Sequence, residues 1–306
     1  MKKIIAFTAF SITFAFISFL LRPDYKKKSL RGELVFPSLF KQIDNIKSLK
    51  IRSSKGDVNI LKDDNNNFII KELNGYHANE KRVKEILLSS ANLEIYEEKN
   101  VTHDKLKDLK LEDVSSDSKS YRLEIFNKAD DKIFDLILGI SKVGIAGFSN
   151  GIFIRKPNEN KVFIARKSFD ITGDALSFVN NVIIDLKEDD VKSVTINQND
   201  IIYKIEDKVK YKKIFNFFDE LEFYDVKIDE GQIPFASYEY EIYGGVKIIV
   251  QKLDIKGENP HIKIKVTKQK AVTELALKTY EELSKLEGWL FKVSAVKLSY
   301  LLEVRK

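Results

Sequence analysis

The sequence predicts an α+β fold built twice behind a single N-terminal transmembrane helix, with antiparallel strands in the majority. Three observations carry this expectation: an uncharged apolar run at the N-terminus, short apolar segments separated by Asn/Asp/Gly-rich turns, and motifs that recur in one order. The stretch 46–51 (IKSLKI) returns at 191–196 (VKSVTI), and Leu93-Glu94-Ile95-Tyr96 returns as Leu221-Glu222-Phe223-Tyr224. Further on, Tyr121-Arg122-Leu123-Glu124-Ile125-Phe126 is matched to Tyr238-Glu239-Tyr240-Glu241-Ile242-Tyr243. The copies stand 145, 128 and 117 residues apart at the three motifs, so the second module is the more compact over this span. The expected organisation is an anchor at 1–21, a basic then apolar connector at 22–43, a first module at 44–187 and a second at 188–306.

Residues 4–21 form a run of 18 uncharged residues. As a helix this spans about 27 Å, close to the hydrocarbon thickness of a bilayer. It ends in Leu20-Leu21-Arg22-Pro23 without a small-x-small cleavage site, so it reads as an uncleaved signal anchor rather than a removed signal peptide. The net charge of +6 lies wholly here: residues 1–31 hold seven basic groups against one acidic, leaving 45 of each sign in the other 275 residues. A neutral body offers no phosphate-tracking surface, so nucleic acid is not expected as a partner. The basic flank after the helix would hold the large domain in the cytoplasm, whereas a short N-terminal anchor exports the chain behind it. With no cysteine, disulfides, thiolate nucleophiles and Cys-ligated metals are excluded.

Within the first module, 46–51 and 58–61 read as a hairpin around Ser53-Ser54-Lys55-Gly56-Asp57, and 68–70 as a strand after the Asp63–Asn67 turn. Asn79 is placed to cap a helix whose buried face is Val83, Ile86, Leu87 and Ser90. Strands follow at 93–96, 121–127, 133–138, 152–155 and 162–165, with 168–187 read as a short helix and a connector. Leu106, Leu109, Leu111 and Val114 anchor the polar stretch 99–119. The second module reads as a hairpin at 191–205, a helix with Ile214, Phe217, Phe218 and Leu221 on one face, then strands at 221–224, 238–243, 247–252 and 262–266. Helices are expected around 272–286 and at Leu298, Leu301 and Leu302.

No catalytic, cofactor or metal residue emerges. Gly139-x4-Gly144 has P-loop spacing, but Ile145-Ala146 stand where Lys and Ser/Thr are required. Asp63, Asn65 and Asn67 start a calcium-loop pattern that Phe68 and Asn74 break. His77, His103 and His261 have no metal-helix spacing. Gly147-Phe148-Ser149-Asn150-Gly151 is formally G-x-S-x-G, yet a strand follows where the nucleophile elbow needs a helix. The residues singled out are therefore a partner surface or loop at Gly144, Gly147, Ser149 and Gly151, together with the sole tryptophan, Trp289, read first as a core anchor.

Behind one anchor come Leu34-Val35-Phe36-Pro37-Ser38-Leu39, then 46–51, Gly75-Tyr76-His77-Ala78-Asn79, Leu138-Gly139, Gly151-Ile152-Phe153-Ile154-Arg155 and Gly288-Trp289-Leu290-Phe291-Lys292. In this order they resemble the family called domain of unknown function 4340, over nearly the whole chain behind the anchor. The resemblance supplies no catalytic residues. It implies a single-pass protein of the bacterial inner membrane with a periplasmic domain, similar to auxiliary components of gliding-type ABC transport systems. The expectation is a non-enzymatic binding or accessory subunit with a protein partner in the envelope and no cofactor. The alternative is an envelope hydrolase or transferase with an unrecognised site.

Overall fold

The computed structural model describes residues 30–142, 151–198, 201–254, 260–270 and 272–301. The expected anchor at 4–21 lies outside them, and among the described residues no helix is long and apolar enough to cross a membrane. The chain forms two antiparallel sheets with few helices. The first holds β1 (Ile46–Ser53), β2 (Gly56–Lys62), β3 (Phe68–Ile70), β4 (Tyr76–His77), β5 (Glu94–Lys99), β6 (Tyr121–Asn127), β7 (Lys132–Lys142), β8 (Gly151–Arg155) and β9 (Val162–Arg166), in the order β4-β3-β2-β1-β6-β7-β8-β9-β5. The second holds β10 (Val182–Ile184), β11 (Val191–Gln198), β12 (Ile201–Ile205), β13 (Leu221–Ile228), β14 (Ala236–Ile242), β15 (Val246–Leu253), β16 (His261–Lys268) and β17 (Trp289–Val293), in the order β10-β13-β17-β16-β15-β14-β11-β12.

Read from the opposite end, the second order repeats the first: β2-β1-β6-β7-β8-β9-β5 corresponds to β12-β11-β14-β15-β16-β17-β13. The agreement extends to irregularities. Ile46 pairs with Asn127 and Ser48 with Phe126, so Lys47 is an extra residue in β1; Val191 and Ser193 make the same step against Ile242 and Glu241, so Lys192 is the extra residue in β11. A bulge of this kind shifts the side-chain alternation by one. It explains why Ile46 and Leu49, three apart, are both buried, as are Val191 and Val194. The IxxLxI and VxxVxI patterns are thus the sequence trace of one bulged strand. Tyr96 in β5 and Tyr224 in β13 are likewise extra residues against β9 and β17.

The register corrects the third motif pair. Ile51 faces Leu123 and Ile196 faces Tyr238, so Tyr238 corresponds to Leu123 and not to Tyr121. The separation there is 115 residues (123 to 238). On this register Glu124 and Glu239 correspond, and each takes a lysine from the next strand at 2.6 Å, Lys132 and Lys247. The two sheets differ in their insertions. Among the described residues the first alone has the β3–β4 hairpin. The second carries helix α3 (Glu274–Ser284) between β16 and β17, where the first has only the turn 156–161.

Helix α1 (Glu80–Ala91) follows the sequence closely: Asn79 accepts the Arg82 backbone N–H at 3.2 Å, and Val83, Ile86, Leu87 and Ser90 are buried. The helix expected through Leu221 is a single turn, α2 (Lys212–Phe215). Asn216 caps it: its backbone N–H and its side-chain amide both donate to the Lys212 carbonyl at 3.1 Å, and the amide also donates to the Glu188 carboxylate at 3.0 Å. Ile214, Phe217, Phe218 and Leu221 are still all fully buried, because they reach the core from a turn and a strand start. A short C-terminal helix, α4 (Ala295–Tyr300), is capped by Ser294, which accepts the Lys297 N–H. The strands expected from the sequence are present, and β4, β10 and β17 are further short strands, in the lead-in to α1, in the 168–187 connector and around Trp289.

One large core joins the inner faces of both sheets. A second, small core lies on the outer face of the first sheet, where Leu106 and Leu111 of the 99–119 segment pack on Ile137, Phe153, Val162 and Ile164. The buried Arg155 guanidinium ties this flap down by donating to the Leu111 carbonyl at 2.7 Å. Gly139 lets the flap approach: Ile140 N–H donates to the Leu109 carbonyl at 3.0 Å, and a Cβ on Gly139 would lie 2.3 Å from that oxygen. Gly139→Ala is therefore expected to cost about 2 kcal/mol or more by overpacking. The check is urea unfolding of the two proteins, with the loss in midpoint accompanied by faster exchange of the Ile140 amide.

Candidate active or binding cavity

Tyr76 joins the two sheets. Its side chain leaves the edge strand β4 of the first sheet and meets three rings of the second edge-on: Trp289 at 5.0 Å, Phe223 at 5.5 Å and Phe291 at 6.1 Å between centroids. Edge-to-face rings at these distances add to simple burial. Polar contacts fix the same seam. Asn74, in a left-handed conformation (φ 56°), donates its side-chain amide to the Val226 carbonyl at 3.4 Å, and Asn79 N–H donates to the Phe178 carbonyl at 2.7 Å. Arg82 donates to the Ser177 and Asp170 carbonyls while its guanidinium covers the Phe178 ring.

A cavity of about 720 Å³ opens beside this junction. Tyr76, His77 and Ala78 form one end; Val182, Ile183 and Ile184 of β10 form a wall; Ala276, Thr279 and Glu282 of α3 form the other. The turn between β14 and β15 sets the height of α3. Thr273 caps the helix and donates its N–H to the Gly244 carbonyl at 3.0 Å. Gly244 has φ +92°, and a Cβ there would lie 2.5 Å from Thr273 Oγ1. Only glycine meets both demands at this position.

The lining mixes apolar and charged side chains. Asp185 and Asp190 already have structural partners: Asp185 accepts the Glu220 N–H and the Lys187 ammonium, both at 3.0 Å, and Asp190 accepts the Lys187 N–H at 2.8 Å. The Glu220 N–H and then the Lys187 ammonium hold the Asp185 carboxyl below its usual range. His77, Glu282 and Lys285 also line the cavity, as do the neutral polar side chains of Asn180 and Thr279. Among the described residues, no group of three or more His, Asp and Glu side chains is arranged to hold a metal ion.

Of the residues singled out from sequence, Gly144, Gly147 and Ser149 lie outside the described residues. Gly151 is buried at the start of β8, facing Lys142 and Arg166. Trp289 begins β17, packs partly buried against the large core, and contacts Tyr76. The cavity brings none of these together. In the sequence most of its residues fall in the Gly75–Asn79 segment before the helix capped by Asn79, in the 168–187 connector and in the helix expected around 272–286. The one available signal was the apolar triad Val182-Ile183-Ile184 between Asn181 and Asp185. Comparison with family models, with characterised proteins and with solved structures finds no match to this chain.

Burial pushes the Tyr76 phenol up to about 12. An unfolded tyrosine titrates near pH 10, so stability from keeping Tyr76 neutral is complete below about pH 10 and is lost as pH rises through the folded value. Tyr76→Phe is expected to remove that part of the alkaline decline. In absorbance at 295 nm, native parent and variant should titrate alike up to about pH 11. A parent curve with one extra phenolate in that range would show Tyr76 to be solvated.

Proposed function

We propose that this chain is a membrane-anchored binding subunit of the bacterial envelope, single-pass through residues 4–21, with a periplasmic body made of two copies of one module. The observation that carries the binding reading is the cavity itself. It has the size and the mixed apolar and polar lining of a ligand site, and it forms only where the two sheets meet. Shared strand order, shared bulges at Lys47 and Lys192 and at Tyr96 and Tyr224, and the paired Glu124–Lys132 and Glu239–Lys247 bridges support internal duplication. The modules then begin earlier than the first repeated motif. Ile95 N–H donates to the Glu33 carbonyl at 2.9 Å, and its counterpart Phe223 N–H donates to the Asn181 carbonyl at 3.0 Å. The segments opening at Leu34 and Val182 thus stand in equivalent places. The resemblance to the domain of unknown function 4340 family makes a protein of an ABC-type transport system the partner of choice.

Val182, 39% exposed on the cavity wall, allows a direct test. A photoreactive residue at position 282 of the full-length chain in intact cells is expected to cross-link one integral membrane protein. Val182→Trp should abolish that product at unchanged expression and unchanged melting temperature. The same product in both backgrounds would sink the cavity as the binding site.

A second reading, a hydrolase or transferase, draws on His77, Glu282 and Lys285 lining one cavity. Turnover by the full-length chain in a broad ester, glycoside and phosphoester screen, lost in His77→Ala with the fold intact, would replace the binding reading. No turnover in any class would remove the alternative.

A further inference from the structure

Because the two sheets share a register, each edge of one can be compared with its counterpart in the other. In the first sheet Leu49 faces Ile60 and Arg52 faces Asp57; in the second Val194 faces Ile205 and Asn197 faces Ile202. Asp57, Val58 and Asn59 of β2 therefore correspond to Ile202, Tyr203 and Lys204 of β12. The outer side of β2 is closed by the chain itself from Asn59 to Lys62. The apolar strand β3 (Phe-Ile-Ile) pairs antiparallel with Ile60–Lys62, and the Glu72 carboxylate just beyond accepts both the Asn59 backbone N–H at 2.8 Å and its side-chain amide at 2.6 Å.

The second sheet has no counterpart of β3. Its order ends at β12, and among the described residues no strand pairs with the outer side of β12. The side chains there have the opposite character from those of a solvated edge. Ile202, where β2 has Asp57, is 72% exposed; Tyr203, where β2 has a Val58 only 1% exposed, is 45% exposed; Val209 in the next turn is 92% exposed. Long, apolar, unpaired edges are avoided by proteins that leave them in water. The Asn59 N–H points away from β1, so the matching Lys204 N–H points away from β11, as does that of Ile202 two residues earlier. Cations flank the edge. Lys204 pairs with Glu206 at 2.6 Å, and Lys210 sits 5.0 Å from the ring of Tyr211, whose hydroxyl is 3.1 Å from that of Tyr203.

We propose that the outer edge of β12 receives an extended segment of another protein, added as an antiparallel strand, with two or three consecutive apolar residues followed by a carboxylate. The first module shows this chemistry one step along the strand: Phe68–Ile70 pair beside Ile60–Lys62, the counterparts of 205–207, and the Glu72 carboxylate meets Asn59, the counterpart of Lys204. The carboxylate suits the Lys204 and Lys210 side, whereas a second copy presenting the same edge would bring two sets of lysines to one seam. Backbone pairing supplies the affinity and alternate side-chain pockets the selectivity, as in other strand-addition complexes. This inference rests on the correspondence of the sheets and is independent of the cavity.

The test uses the full-length chain and a synthetic peptide of residues 66–79 (NNFIIKELNGYHAN). The peptide is expected to bind saturably at one site and to slow hydrogen exchange of the Ile202 and Lys204 amides. Ile202→Asp and Lys204→Glu should each weaken binding at least about tenfold, or 1.4 kcal/mol. Both positions face solvent, so the melting temperature should not move. A peptide with serine at the positions of Phe68, Ile69 and Ile70 should not bind. The proposal is overturned by the absence of saturable binding, by binding that leaves β12 exchange unchanged, or by self-association of the chain that protects the same two amides and excludes the peptide.

Discussion

An antiparallel sheet that buries one face still leaves two rows of unpaired backbone groups, one along each edge, and each row must be met by protein or water. How this chain closes those rows determines most of what distinguishes its two halves. At one end of the first sheet, the segment at residues 32–35 lies along β5, with Gly32 N–H donating to the Ile95 carbonyl and Val35 N–H to the Leu93 carbonyl, each at 2.8 Å. At the matching end of the second sheet, β10 lies along β13. At the far ends the halves diverge: β3 and β4 extend the first sheet, and among the described residues nothing extends the second beyond β12. The same β3–β4 hairpin that closes an edge also carries Tyr76 to the rings of the other sheet. One insertion thus covers a strand and forms the seam.

The cavity arises from this asymmetry. It is bounded by the hairpin unique to the first sheet and the helix unique to the second, α3. Neither insertion encloses a site alone. Charge at the cavity is divided between carboxylates with structural partners, Asp185 and Asp190, and the side chains of His77, Glu282 and Lys285 on its lining. The division matters because a carboxylate committed to a backbone N–H and an ammonium is a fixture of the wall, not a group available for proton transfer.

Much of the local structure was readable without coordinates. Asn79 and the Val83, Ile86, Leu87, Ser90 face carry the whole signature of α1, since cap chemistry and a 3.6-residue period are both local. The repeated strand motif was readable too, but its meaning was not. Ile46 and Leu49 break a period of two, and only the partner strand shows that Lys47 is the extra residue that restores it. The pairing of Tyr121 with Tyr238 was plausible by residue type and wrong by two positions, because apolar or aromatic residues alternate with charged ones on both strands and a slip of two keeps every side chain on its face.

What the sequence determined by itself is therefore the set of locally encoded features: strand alternation, turn positions, the α1 cap and face, the apolar run at 4–21 and the neutrality of everything after residue 31. The tertiary structure decided which edges are covered, where β10 pairs, how α3 stands over its sheet and that a cavity opens beside Tyr76. Those depend on hydrogen bonds and ring contacts between residues far apart in the chain, such as Asn74 with Val226 and Tyr76 with Phe291. No period or spacing within a short window encodes such a pairing.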